Sequence, residues 1–364
     1  MLDPKKLTEY NNTRQTKNKT IFCHAPFVNM NFSQNGNITA CCYSRDFVFG
    51  TYSQNTLEEI WHGKKANKLR QFMRKNILPV GGDRCDICKI QFQGKNFGGL
   101  RAKSFDLFAE ENAPEGKVPW PKMMEFEISN VCNLECIMCS GFFSSAIRKN
   151  REKLPADKCP YDEIFIKQLE PFIPHLTVAK FLGGEPFLIG AYFQIWDLII
   201  RLNPKIQVSI TTNGTTLTSK VKNILEKLNA HLIISVDSLE KENYERIRIN
   251  ADFDRVMNNV EYYRDYVKRK KTSISFAVNP MQQNWKEMPS LLEFCNQRAI
   301  ELYFNTVLYP DDATLKTMNR NDLKAVVEYL NAVELIEDTG IRKNNNANYR
   351  DLIQQISYYR DQST

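Results

Sequence analysis

Three cysteines, Cys132, Cys136 and Cys139, form a C-x3-C-x2-C pattern inside EFEISNVCNLECIMCSG. Three thiolates within eight residues can wrap one metal centre. Structural zinc takes four ligands, usually as two separated pairs. A [4Fe–4S] cluster held by three cysteines leaves one iron open to an outside ligand, an arrangement for catalysis rather than electron storage. A second set lies earlier: Cys23, Cys41 with Cys42 beside it, and the C-x2-C pair Cys85 and Cys88. Four thiols including a close pair fit either zinc or an iron–sulfur centre. Cys159 and Cys295 have no neighbouring partner and read as isolated thiols. Downstream, FLGGEPFL places Gly183, Gly184, Glu185 and Pro186, beginning 44 residues beyond Cys139. Glycines permit close backbone approach, and a carboxylate at a strand end is a natural acceptor for an ammonium group.

The elements that must hold these residues follow from periodicity. From Met123 onward, short β-rich runs alternate with stretches of helical period, the pattern of βα units on a parallel sheet. Strands are expected at MMEFEIS, LTVAKFLG, IQVSITTN, HLIISVD, TSISFAVN and ELYFNTVLY, and six are too few for a closed eight-stranded barrel. Helices are expected over 191–201, 219–228, 241–270 with a break near Asn250, 285–299 and 321–335. In such architectures ligand sites gather at the carboxyl ends of the strands. The cysteine triplet follows the first strand and GGEP ends the second; Thr211, Thr212 and Asn213 end the third, and Ser235 with Asp237 the fourth. Those polar residues also suit plain turn capping, and Arg248, expected on the following helix, also suits a solvated face. Gly94, Gly98, Gly99, Pro114, Gly116, Pro119 and Pro121 give the stretch between the cysteine groups the breaker density of a linker. Lys343 to Asn348 is a short polar run, and Tyr349, Leu352, Ile353, Ile356 and Tyr359 trace one amphipathic helix packed on the body.

Composition narrows the class. The chain has 364 residues, 42% hydrophobic and 25% charged, ordinary globular usage. No run approaches the roughly 18 apolar residues of a membrane span. The N-terminus lacks the apolar stretch of a signal peptide, so a cytoplasmic location is expected, where clustered thiols serve metals or catalysis rather than disulfides. The net charge of +7 is spread along the chain, apart from a knot at Lys268 to Lys271. A nucleic-acid partner is therefore not expected, while an acidic substrate or anionic cofactor is favoured.

The triplet after the first strand, with GGEP one βα unit later, resembles the radical S-adenosylmethionine (SAM) superfamily. That resemblance implies the α/β class and a partial (β/α)6 barrel. It also implies a [4Fe–4S] cluster on Cys132, Cys136 and Cys139 with SAM at its open iron. Gly183, Gly184 and Glu185 would hold the methionyl amino group, and Asn213, Ser235 and Arg248 would meet the ribose and carboxylate. Met138 departs from the aromatic that many members place before the third cysteine. The stretch from FCHAPFVNMNFSQNGNITACC through GTYSQNTLEEIWHGKKANKLRQFM to the C-x2-C pair resembles a SPASM/twitch module, here ahead of the barrel. It lacks the C-x5-C-x3-C continuation after Cys88. One auxiliary [4Fe–4S] cluster on Cys23, Cys41, Cys85 and Cys88 is then implied, the G-x4-C spacing from Gly36 selecting Cys41 over Cys42. His24 is expected to serve packing or a backbone bond. The organisation expected is a module over 1–92, a linker over 93–121, the barrel over 122–312 and a helical extension over 313–364.

The activity implied is reductive cleavage of SAM to methionine and a 5′-deoxyadenosyl radical that abstracts a substrate hydrogen. An external electron donor such as flavodoxin or ferredoxin goes with it. A peptide or protein substrate is expected first, a sugar, nucleotide or amino acid derivative second. The reading from a different class is a noncatalytic iron–sulfur or zinc protein, against which the triplet and GGEP together argue. Arg101 and Lys103, in KNFGGLRAKS after Cys88, are expected either to line a substrate cleft or to sit in a solvated loop. No residue is assigned to substrate-radical chemistry.

Overall fold

The computed structural model describes residues 1–16, 19–79, 85–95, 97, 100–109, 115–336 and 339–363. They form two compact units: Met1–Ser129 with Lys158–Gly183 and Gly190–Val208, and Asn130–Asp157 with Gly184–Ile189 and Ser209–Thr364. Of the expected linker breakers, Gly98, Gly99 and Pro114 lie outside the described residues.

The first unit contains β1 (Asn29–Ser33), β2 (Asn37–Thr39), β3 (Gly50–Thr51), β4 (Met123–Glu127) and β5 (Val178–Phe181), in the order β3-β2-β1-β4-β5. β2 runs antiparallel to β1 and β3, while β1, β4 and β5 are parallel. β1, among the residues read as the cysteine module, therefore pairs directly with β4, the first strand of the βα series. Alternation gives the three parallel strands two different faces. On one, Phe32, Phe126 and Phe181 stand in register, each ring stacked on the next at 5.0 Å. Burial of each such ring is worth about 1.5–3 kcal/mol. The opposite face carries Asn31, Glu125 and Lys180 in the same register.

The second unit is built on β6 (Gln207–Thr212, its first two residues counted with the first unit), β7 (Ala230–Ser235), β8 (Ile274–Val278) and β9 (Glu301–Phe304), neighbours in that order. β8 is parallel to both β7 and β9. The six strands β4 to β9 match the six expected, and each is followed by helix. The stretch expected to break near Asn250 forms two helices, Lys241–Ile247 and Phe253–Lys270; Asn250 takes a left-handed φ of 75° and the Asp252 side chain caps the second. In that second helix Val256, Val260, Tyr263 and Val267 recur at helical spacing and are buried.

The tail is the helix Gly340–Gln362, with Tyr349, Leu352 and Ile356 buried as expected. The polar run before them has a structural use. Asn345 accepts from the Leu302 amide at 2.8 Å and donates to the Ile300 carbonyl at 2.9 Å, and Asn348 donates to the Leu302 carbonyl at 2.8 Å. These side chains satisfy backbone groups that β9 would otherwise leave open. Among the described residues no helix is long and apolar enough to cross a membrane.

Candidate functional site

In the second unit, the loop carrying the cysteine triplet is tied down by backbone bonds on both sides of Cys136: Glu135 donates to the Ile249 carbonyl and Ile137 to the Ile247 carbonyl, each at 3.0 Å. Two of the three sulfurs receive donors, while Cys139 Sγ lies 3.7 Å from the Ser140 carbonyl oxygen. Leu134 N–H points at Cys132 Sγ at 3.5 Å, Asn213 Nδ2 at the same sulfur at 3.9 Å, and Arg248 Nη1 at Cys136 Sγ at 3.8 Å. Burial pushes the Cys136 thiol up to about 12 and the Cys139 thiol to about 11, and the neighbouring thiols push the same way. The Cys132 thiol is raised first by burial, against the Leu134 amide. Met138, partly buried with Ile137, packs on Ile247, Met281, Val307 and Ala313.

Glu185 is fully buried. Its Oε1 accepts from Thr212 Oγ1 at 2.7 Å and Phe187 N at 3.1 Å, and its Oε2 from Asn213 N at 2.7 Å. Burial raises its carboxyl to about 7, against the pull of those donors. Asn213 donates onward to Asn133 Oδ1 at 3.0 Å and accepts from the Thr215 hydroxyl at 2.7 Å. One chain of bonds thus joins the GGEP acid, the end of β6 and Cys132. Gly183, at φ 82°, and Gly184 serve the chain's own backbone: a Cβ would stand 2.7 Å from the Ser129 carbonyl oxygen at the first and 2.1 Å from that of Val131 at the second.

Ser235 is half-buried at the end of β7. Asp237, two residues on and fully buried, accepts from Asn279 N at 2.7 Å and pairs with Arg248 Nη2 at 2.7 Å. Arg248 caps the C-terminus of the helix rather than lying within it. Burial opposes its charge, but Asp237 and Cys136 outweigh burial and keep the guanidinium charged. Asn133 and Thr215 escaped the sequence reading because their contacts depend on a β6 loop about 80 residues away from the triplet.

In the first unit, Gly36 at φ 84° turns the β1–β2 hairpin and leaves Cys41 just beyond β2. Cys85 caps, and Cys88 lies within, the helix Asp86–Gln93. Cys23 Sγ accepts from Ala25 N at 3.4 Å. Burial raises all four thiols, Cys85 to about 12; Cys41 is pushed further by Cys42, Cys23, Cys85 and Cys88. Cys42, raised to about 11 by burial, is influenced instead by Glu125, Arg101, Glu127 and Arg45. The helix Leu57–His62 carries the Thr56/Glu59 capping box and the fully buried Trp61. Arg70, buried on the next helix, lies over that indole at 4.3 Å and donates to the Pro26 carbonyl at 2.9 Å, fixing the segment after Cys23. His24 bonds a side chain rather than backbone: its Nδ1 lies 2.8 Å from Asp106 Oδ1, and Arg14 Nε donates to Asp106 Oδ2 at 2.7 Å.

Among the described residues, no group of three or more His, Cys, Asp or Glu side chains converges as ligands of one ion do. A four-iron cluster takes each thiolate on a separate iron. The donor sets suit such clusters: three thiols, two of them with N–H or guanidinium donors aimed at sulfur, in one unit, and in the other Cys41 influenced by Cys23, Cys85 and Cys88. Arg101 is held by Glu125, and Lys103 Nζ reaches Thr13 Oγ1 at 3.4 Å.

A family model described as the radical SAM superfamily matches residues 126–295, and one described as an iron–sulfur cluster-binding domain, SPASM, matches residues 23–90. The AdoMet-dependent heme synthase of Methanosarcina barkeri is 26% identical over 199 residues, covering 52% of this chain and 51% of that protein. The probable GTP 3′,8-cyclase of Methanocaldococcus jannaschii is 27% identical over 188 residues, covering 48% and 55%. The chain thus spans about half the length of these curated relatives. Among solved structures, Streptococcus suis SuiB bound to S-adenosylmethionine aligns with 18% identity and a TM-score of 0.42, covering 74% of this chain and 57% of that one. The two domain matches fall on the two cysteine groups and on the strands that carry them; the chain carries a radical SAM domain with a SPASM iron–sulfur domain ahead of it.

Proposed function

We propose that the chain is a radical SAM enzyme that modifies a peptide or protein. The observation that carries the enzymatic reading is the continuous network from Glu185 through Thr212 and Asn213 to Cys132. In this reading Cys132, Cys136 and Cys139 hold the SAM cluster, Gly183, Gly184, Glu185, Asn213, Ser235 and Arg248 frame SAM, and Cys23, Cys41, Cys85 and Cys88 hold the auxiliary cluster. A cluster with an open iron supplies one-electron cleavage of the SAM C–S bond and so a 5′-deoxyadenosyl radical able to take a hydrogen atom from an unactivated carbon. The chain's part is to hold thiolates under N–H and guanidinium donors, which favour the charged form, and to fix a buried carboxylate at the end of β5. The electron comes from a donor such as flavodoxin or ferredoxin.

A small-molecule substrate is the second reading, favoured by the relatives named heme synthase and GTP 3′,8-cyclase. Anaerobic reconstitution should give about eight irons per chain, falling to about four when Cys132, Cys136 and Cys139 are all replaced by alanine. The same variant should form no 5′-deoxyadenosine from SAM; undiminished cleavage would sink the assignment. Deuterium transfer into 5′-deoxyadenosine from labelled peptides or labelled nucleotides then separates the two substrate readings.

A further inference from the structure

The face of β1, β4 and β5 opposite the phenylalanine row is polar, and it is built rather than incidental. Asn31, Glu125 and Lys180 stand side by side across three strands. Glu125, 2% exposed, anchors the group: Oε1 meets Arg101 Nη2 and, at 3.7 Å, Lys180 Nζ, while Oε2 accepts from Asn29 Nδ2 at 2.9 Å. Beside it Arg45 Nη2 bonds Glu127 Oε2 at 2.8 Å. The floor of Asn29, Asn31 and Glu125 is thus buried while Arg101, Lys180 and Arg45 keep part of their side chains open to solvent.

Among the described residues, three buried polar atoms here have no hydrogen-bond partner: the amide oxygens of Asn29 and Asn31 and Nε of Arg101. Buried polar groups are ordinarily satisfied, and the exceptions ask for an explanation. The surplus is specific in kind. Two acceptors lie on the floor, a guanidinium donor lies beside them, and the single Glu125 carboxylate is shared by the Arg101 and Lys180 cations. That complements a ligand presenting N–H to the asparagines and an oxyanion to the cations. The Cys42 thiol sits in the same electrostatic surroundings, which supplies a reporter.

We propose that this face binds a carboxylate carried next to an N–H group, the chemistry shared by a free acidic amino acid and an acidic residue within a peptide. The proposal names the substrate class and rests on the enzymatic reading above.

Cys42 alkylation in the anaerobically prepared full chain with its clusters tests it, with the exposed Cys159 as internal standard. Peptide mass spectrometry gives the rate ratio of iodoacetate to iodoacetamide at each thiol. At Cys42 that ratio should exceed the Cys159 ratio by about threefold, the effect of one nearby charge under partial screening. It should fall to parity in Lys180→Met, with iron content unchanged. On the unmutated protein, which needs no variant to fold, millimolar L-glutamate or N-acetyl-glutamate N-methylamide should slow Cys42 alkylation about threefold or more. Inorganic phosphate, which offers no N–H to the asparagines, should not. Protection by glutamate alone identifies a free amino acid, and protection by the capped form a peptide segment. Equal ratios at the two thiols, protection by neither probe, protection by phosphate as strong as by glutamate, or Cys42 and Cys41 both inert to reagent would overturn the proposal and leave a structural ion cluster. Alkylation of Cys41 with Cys42 inert would instead show that the auxiliary ligand set is wrong, a separate failure.

Discussion

Arg248 places Nη1 3.8 Å from the sulfur of Cys136 and Nη2 2.7 Å from the carboxylate of Asp237, with both charged side chains at most 6% exposed. One guanidinium therefore answers two negative groups. Arg248→Gln leaves the Asp237 carboxylate buried without its cation, which should cost about 3 kcal/mol of stability, visible as a lowered thermal midpoint. It also removes positive charge beside Cys136, so the SAM-cluster midpoint in an anaerobic EPR titration should move to more negative potential. Arg248→Lys keeps the charge but loses the fork, and should recover potential more fully than stability. A potential unmoved in the glutamine variant would mean that Arg248 serves Asp237 alone.

Glu185 predicts a pH window of unusual sign. Its folded carboxyl titrates near 7 because burial disfavours the charge, against an ordinary glutamate value of 4.5. Between those values the folded chain holds a proton that the unfolded chain has lost, so stability falls as pH rises from 4.5 to 7 and is level above, for this group alone. The loss is about 3 kcal/mol by linkage. Thermal midpoints for the native chain and Glu185→Gln, taken across pH 5 to 8, should differ in slope: the glutamine variant has no proton to lose there, and its curve flattens. Parallel curves would place the titration elsewhere.

How much of this was legible beforehand depended on distance along the chain. The six strands, the break near Asn250 and the buried face of Tyr349, Leu352 and Ile356 follow from local periodicity and capping, and the structure has them. Spacing likewise drew attention to the cysteine groups, because ligands close in sequence need no tertiary information. Partners far apart were invisible: Asp106 meets Arg14 across 92 residues, and Glu125 meets Asn29 across 96. The pairing of β1 with β4 was hidden for the same reason; nothing in NMNFS distinguishes a strand of the cysteine module from one that joins the parallel series. Asn345 shows the converse, a residue in a bland polar run whose side chain bonds the Leu302 amide of β9, the Ile300 carbonyl just before it and Asn296.

The adjacent pair Cys41 and Cys42, in the bend and turn just beyond β2, gives the sharpest remaining contrast. Cys41 is buried and its thiol is influenced by Cys42, Cys23, Cys85 and Cys88, whereas the Cys42 thiol is influenced by Glu125, Arg101, Glu127 and Arg45. That difference favours Cys41 as the fourth ligand, and its carbonyl, which accepts from Thr39 Oγ1 at 3.0 Å and Ser44 N at 3.1 Å, fixes the exit from β2. Cys41→Ala should therefore lower iron from about eight to about four per chain, while Cys42→Ala should keep the full complement and the auxiliary EPR signal. Stoichiometric zinc in the native chain together with about four irons would reassign the whole N-terminal set to a structural zinc site. Iron loss in the Cys42 variant, with Cys41→Ala unaffected, would require the hairpin exit to turn by one residue when the cluster is in place.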